Sequence, residues 1–265
     1  MLRAFIRQFL PTDPYAPSIF RAMFSRPYRN LRRLESGVRA ATQSSVASGP
    51  FIGMVYTWRS LGSALAPKLL GTYEKELWSI VSGIITTDYE SVIDLGAAEG
   101  YYAVGLARLM PQARVIAFEA QAAHHDVLLN MAESNGVSNR IELHGFATAE
   151  LLGRCLSTCR RSLIVCDVEG FELELLDPSI VPSLQNTDIL VEVHDFIQPD
   201  ISAVLTARFE QSHQIVVVPT CVRTLADWPP HVEYGNDQLK IRAMHEGRPA
   251  EMAFFWMRSR QQIRA

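Results

Sequence analysis

The stretch Ser91 to Tyr102, S-V-I-D-L-G-A-A-E-G-Y-Y, limits the fold more than any other part of the chain. Val92, Ile93 and Leu95 form a short apolar run of the kind shown by a strand buried on both faces. Asp94 sits inside that run, where an unpaired carboxylate is costly. Gly96 and Gly100 bracket a tight turn. The apolar spacing then becomes helical at Val104, Leu106, Ala107 and Leu109. The pattern is strand, glycine-containing loop, helix, and glycine lets backbone come close to a ligand because it has no Cβ. A dinucleotide fingerprint needs G-x-G-x-x-G. The second glycine of G-x-G is missing, with Ala98 in its place, which argues against a nicotinamide oxidoreductase.

The rest of the chain repeats the alternation. Apolar runs at Arg114 to Glu119, Arg140 to Phe146, Ser162 to Glu169, Asp188 to Asp195, Gln214 to Val218 and Met252 to Met257 read as six further strands, with helical patterns between most of them. Alternating elements of this length call for a parallel α/β sheet with helices on both faces. Length and composition agree. The 265 residues carry a formal net charge of −3, which does not favour nucleic acid as the main partner. No apolar run approaches the roughly 18 residues that cross a bilayer. Cys155, Cys159, Cys166 and Cys221 form no C-x-x-C pair and read as reduced thiols of a cytoplasmic protein.

Chemistry concentrates at two predicted strand ends. Asp167 and Glu169 are two residues apart and should share one face of the fourth strand; Glu192 and His194 should share one face of the fifth. Both sets fall at carboxyl ends, where ligands bind in open α/β sheets. Acids inside apolar strands cost several kcal/mol unless paired, so a purely structural role is a poor explanation for them.

Asp94-x-Gly96-x-Ala98-x-Gly100 resembles the first motif of class I S-adenosylmethionine-dependent methyltransferases, with alanine at the middle glycine. Asp167-Val-Glu-Gly-Phe-Glu172 followed by Glu192-Val-His194 is similar to the FkbM-type members of that class, across roughly residues 70–218. The resemblance implies a Rossmann-like seven-stranded sheet in the order 3-2-1-4-5-7-6, the last strand antiparallel, and S-adenosyl-L-methionine as cofactor. It implies cofactor contacts from Tyr73, Asp94, Gly96, Ala97, Glu99, Gly100 and Asp167. Glu119, which lies 25 residues beyond Asp94, would take the ribose hydroxyls, and Gly145 with Phe146 would pack on the adenine. The implied reaction is methyl transfer to a hydroxyl of a small molecule or glycan. His194 is the expected base, Asp167 the second choice, and Glu169 and Glu192 would orient the acceptor. The same Asp167, Glu192 and His194 could instead hold a divalent metal such as Mg²⁺ or Mn²⁺ that acidifies the acceptor. N-methylation of an amine and a non-catalytic adenosyl-binding protein are the other readings.

Residues 1–70 stand apart from the motif-bearing part, 71–265. The first 50 residues hold eight arginines and no lysine, with only Asp13 and Glu35 as acids. They are expected to form a mostly helical cap, a surface through which a homodimer could form. Residues 43–53, rich in Ser, Gly and Ala, read as a flexible connection. Residues 219–251, a long insertion before the last strand, are expected to act as a lid or substrate wall.

Overall fold

The computed structural model describes residues 26–56, 60–248 and 250–264. Seven strands form one sheet: β1 (Ser91–Leu95), β2 (Arg114–Phe118), β3 (Ile141–His144), β4 (Ser162–Cys166), β5 (Asp188–Val193), β6 (His213–Pro219) and β7 (Ala253–Ser259). Their order is β3-β2-β1-β4-β5-β7-β6, the order expected from the sequence. The first five strands are parallel, and β7 runs antiparallel to both neighbours. β1, β4 and β5 are buried along their whole length, as continuous apolar runs require.

The helices are α1 (Arg26–Ala41), α2 (Leu65–Leu70), α3 (Trp78–Ile85), α4 (Tyr101–Leu109), α5 (Ala122–Ser134), α6 (Ala149–Ser157), α7 (Glu172–Leu175), α8 (Ile201–Phe209), α9 (Asp237–Ala243) and α10 (Arg260–Arg264). Strand side chains alternate between faces, and each face has its own core. Val92, Val115, Leu163 and Leu190 face one way and pack with Leu34, Val38 and Phe51. Ile93, Ile116, Ile164 and Ile189 face the other and pack with Leu152, Leu205 and Phe209.

Residues 43–56 are a packed segment rather than the flexible connection expected. Val46, Phe51, Met54 and Tyr56 are buried. The Val46 amide donates to the Met54 carbonyl at 2.8 Å, and that of Tyr56 to the Ser44 carbonyl at 2.7 Å. Four large apolar side chains set among the small residues anchor it. Residues 1–25 of the expected cap lie outside the described residues. Among the described residues no helix is long and apolar enough to cross a membrane.

The segment between β6 and β7 is tied down at its base. Arg223 is buried and reaches the Thr72 carbonyl at 2.8 Å, and Glu76 and Glu246 at 2.5 Å each. It brings Arg248 to the carboxyl edge of the sheet.

Candidate active site

The loop after β1 is shaped by close backbone approach. Gly96 has φ +85°, and a Cβ there would collide with the carbonyl oxygen of Asp167, so the loop lies directly on the segment that leaves β4. The amides of Gly96 and Ala97 both donate to the Phe118 carbonyl at 2.9 Å. Gly100, with φ +94°, opens α4. Ala98 also adopts a left-handed backbone, φ +46°. Its amide donates at 2.9 Å to Glu119 Oε2, while Glu119 Oε1 accepts from the Gln121 amide at 2.8 Å and faces His124 Nδ1 at 3.2 Å. Glu119 thus stands beside the loop at the end of β2.

Asp94 is buried at the end of β1. Burial pushes its carboxyl up to about 7, with Glu119 and Glu74 adding to the shift and the Ala103 amide and Lys68 opposing it. Beyond β3, Gly145 has nothing within 4 Å of where a Cβ would stand. Phe146 is half-exposed, its ring 5.4 Å from that of Phe171. Tyr73 is buried between Lys68 Nζ, 4.8 Å from its ring centre, and the Tyr101 ring at 5.3 Å.

Glu99 is placed differently from the expected cofactor contact. It is fully buried and turned toward residues 56–68: Lys68 Nζ at 2.5 Å, Ser60 Oγ at 2.8 Å, the Leu61 amide at 2.9 Å and the Tyr56 hydroxyl all donate to it. Burial alone would raise its pKa, but Lys68 and these donors hold it below the usual carboxylate range. With its acceptor positions taken, Glu99 fastens the loop to α2.

The acid and histidine side differs in detail from the strand reading. β4 ends at Cys166, because Glu169 and Gly170 both take left-handed backbone, at φ +50° and +96°. Asp167 and Glu169 therefore project from a turn and do not share a strand face. The turn still delivers them to His194, which follows β5 and is 1% exposed. His194 Nε2 stands 3.6 Å from Asp167 Oδ1 and 3.5 Å from Glu169 Oε2. Its Nδ1–H donates to Glu172 Oε1 at 2.5 Å. Burial pulls the imidazole pKa down, but the bond to Glu172 and the charges of Glu172, Glu192 and Glu169 outweigh it and leave the pKa above its ordinary value.

Asp167 has 41% of its side chain exposed, yet its Oδ1 is enclosed and accepts no hydrogen bond. Desolvation, then Glu169, Glu74 and Glu172, push its carboxyl up to about 8. Glu192 is buried in β5 and bound by Arg248 Nη1. Burial and the charges of Asp167 and Glu74 raise its pKa well above the usual range in spite of Arg248 and His194. Asp195 turns away and accepts the Ser202 amide at 2.9 Å.

Three participants make partnerships that the sequence does not signal. Glu74, buried with φ +48°, accepts from the Tyr102 hydroxyl and lies 3.4 Å from Arg248 Nη2. Arg248 itself arrives from 56 residues beyond Glu192. Glu172, the last residue of the D-V-E-G-F-E motif, was visible in sequence, but its partnership with the imidazole was not.

No protein-family model matches the chain. A release factor glutamine methyltransferase of Chlorobaculum tepidum is 30% identical over 145 residues, 54% of this chain and 45% of its own. The chain therefore spans less than half the length of that curated relative. Among solved structures, a Klebsiella pneumoniae protein assigned as an O-methyltransferase aligns over 97% of this chain and 96% of its own, at 13% identity and TM-score 0.46. The O-methyltransferase TomG of Streptomyces achromogenes, solved with SAM, aligns over 85% of this chain and 90% of its own, at 12% identity and TM-score 0.43. At these scores the strand order itself is what identifies the fold.

Proposed function

We propose that the chain is an S-adenosylmethionine-dependent methyltransferase of the FkbM type, acting on a hydroxyl of a small molecule or glycan. The observation that carries this reading is the contact between Gly96 and the Asp167 carbonyl. It sets the loop after β1 directly against the segment that carries Asp167, so the loop and the Asp167–Glu169–His194 group are neighbours at the carboxyl edge of the sheet. The residues present suit a nucleoside. The loop can be approached closely along its backbone, Glu119 stands beside it, Gly145 leaves open space and Phe146 offers a half-exposed ring. The name of the Chlorobaculum relative, a release factor glutamine methyltransferase, supports the methyl-transfer part of this reading.

The cofactor supplies a methyl group on a sulfonium, a good leaving group. Aligning the acceptor oxygen with it contributes about 7–11 kcal/mol. The chain's own task is the acceptor's proton. Glu172 holds the Nδ1–H of His194, so in the neutral imidazole the Nε2 lone pair faces Asp167 and Glu169. There it can take the hydroxyl proton, with Asp167 and Glu169 beside it to balance the imidazolium.

Transfer of labelled methyl from S-adenosylmethionine into a pool of hydroxylated acceptors tests the activity. In the same assay His194→Ala should lower turnover by about 10²- to 10⁴-fold. Cofactor affinity measured by calorimetry should stay near wild type. Unchanged turnover removes His194 from the chemistry.

A further inference from the structure

We infer that Arg248 is a positioning residue for methyl transfer and that Glu246 sets it in place. The inference rests on the methyl-transfer reading. It says how the segment between β6 and β7 takes part in the reaction.

Each nitrogen of the Arg248 guanidinium faces a carboxylate from a different part of the chain. Nε donates to Glu246 Oε2 at 3.0 Å, Nη1 donates to Glu192 Oε1, and Nη2 donates to Glu74 Oε1 at 3.4 Å. The three acid side chains are at most 8% exposed. The Tyr73 and Phe254 ring centres lie 6.0 and 5.3 Å from the guanidinium carbon. A guanidinium is planar and its donors point in fixed directions, so three acceptors set both its plane and its rotation. A lysine offers a point charge and cannot span them.

Glu246 is placed to hold that arrangement. Its Oε1 accepts from Arg223 Nη2 at 2.5 Å and from the Glu74 amide at 3.1 Å, which leaves Oε2 to Arg248. Arg223 is anchored in turn by the Thr72 carbonyl and Glu76. One carboxylate thus joins two arginines, one at the base of the segment and one at the edge of the sheet.

The series ends at the reacting groups. Glu192, the residue expected to orient the acceptor, has a carboxylate oxygen within 4.8 Å of an Asp167 oxygen and a His194 ring nitrogen. Like charges that close repel, and Arg248 is the cation bonded to Glu192. Once released, Glu192 would turn from Asp167 and from the acceptor. Stability alone does not account for the network. Desolvation offsets most of the attraction in a buried ion pair, and here two shielded arginines engage Glu74, Glu76, Glu192 and Glu246. Fixed geometry is what such a network supplies, and displacing a reacting group by about 1 Å can cost about 10²-fold in rate.

The test measures turnover of the full chain by the labelled-methyl assay and cofactor affinity by calorimetry with S-adenosylhomocysteine. In Glu246→Gln the one remaining acceptor oxygen can serve Arg223 and the Glu74 amide, but the new NH₂ then faces Arg248 Nε, donor against donor. Glu246→Gln and Arg248→Lys should each lower turnover by about 10- to 100-fold, with cofactor affinity near wild type. Glu246→Gln added to Glu192→Gln should cost no more than about twofold further, because both act through one carboxylate. Circular dichroism establishes that each variant is folded; should Arg248→Lys fail to fold, Glu246→Gln decides. Unchanged turnover in the variants overturns the inference. So do additive losses from Glu192→Gln and Glu246→Gln, or a cofactor affinity that falls as far as turnover does. Absence of transfer by wild type rejects the methyl-transfer reading and this inference with it, whereas transfer by wild type that the variants do not disturb rejects the inference alone.

Discussion

On the β1–β2 side of the cleft the buried carboxylates have their oxygens engaged: Glu99 by Lys68, Tyr56, Ser60 and a backbone amide, Glu119 by the amides of Ala98 and Gln121. On the β4–β5 side Asp167 Oδ1 and Glu172 Oε2 are enclosed with no donor, and His194 Nε2 lies beyond hydrogen-bond reach of its neighbours. A saturated group stabilises the fold as it stands, whereas an enclosed polar atom without a partner lowers stability until something binds it. On the first side Glu99 and Glu119 are bound by their own chain, with His124 Nδ1 enclosed beside Glu119; on the second it is carboxylate oxygens that are left without a donor. In the proposed reading the first side gives shape to a nucleoside site and the second carries the reactivity.

The seam between the sides is Gly96, and its substitution has the largest expected effect on stability. In Gly96→Ala the new methyl meets the Asp167 carbonyl, a backbone atom that cannot move aside, at a φ of +85°. The cost should be about 3 kcal/mol or more, from overpacking plus the strained backbone. Denaturant unfolding should show that loss, and calorimetry should show weakened S-adenosylmethionine binding together with it. A stable variant with normal affinity would mean that the two walls are not mechanically joined.

The sequence was most informative where structure is local. The strands of the sheet's centre are continuous apolar runs, and their pattern puts Asp94, Gly96, Glu192 and His194 at or near their ends. It was least informative where partners are distant or the backbone changes hand. β4 stops at Cys166 because Glu169 and Gly170 turn left-handed, and nothing in L-I-V-C-D-V-E announces that an acid will adopt φ +50°. Glu99 looks like a loop residue facing a ligand. Its ties to Lys68, 31 positions earlier, appear only once α2 packs beside the loop. Arg248 comes from a segment without readable motifs.

The next effect in size concerns Asp94, which belongs to the first side but lacks a strong counter-charge. Its folded pKa of about 7 lies above the ordinary 3.8, so the folded state holds the proton more tightly than the unfolded one. The resulting stability is present below about pH 4 and is lost as pH rises toward 7. Asp94→Asn cannot ionise, so thermal unfolding between pH 4.5 and 7.5 should fall less steeply than in wild type. Equal slopes would show that Asp94 is better compensated than its surroundings indicate, and would move the unsatisfied charge wholly to the β4–β5 side.

The smallest expected effect lies at Ala98, where the loop departs from the glycine of the methyltransferase motif. Its φ of +46° places an L-residue in the left-handed region, at a cost of about 1–2 kcal/mol that glycine does not incur. Glycine loses about 0.5–1 kcal/mol through greater freedom of the unfolded chain. Ala98→Gly should therefore stabilise by about 0.5 kcal/mol, small but measurable by denaturant unfolding. The Ala98 amide already donates to Glu119 at 2.9 Å, and a change confined to the side chain leaves that bond in place. Cofactor affinity should then change little. A destabilised variant would mean that the methyl group packs usefully against the loop, and a large gain in affinity would mean that it intrudes on the nucleoside. Either result would show that this wall is shaped by a side chain as well as by backbone, and would narrow the contrast with the wall opposite.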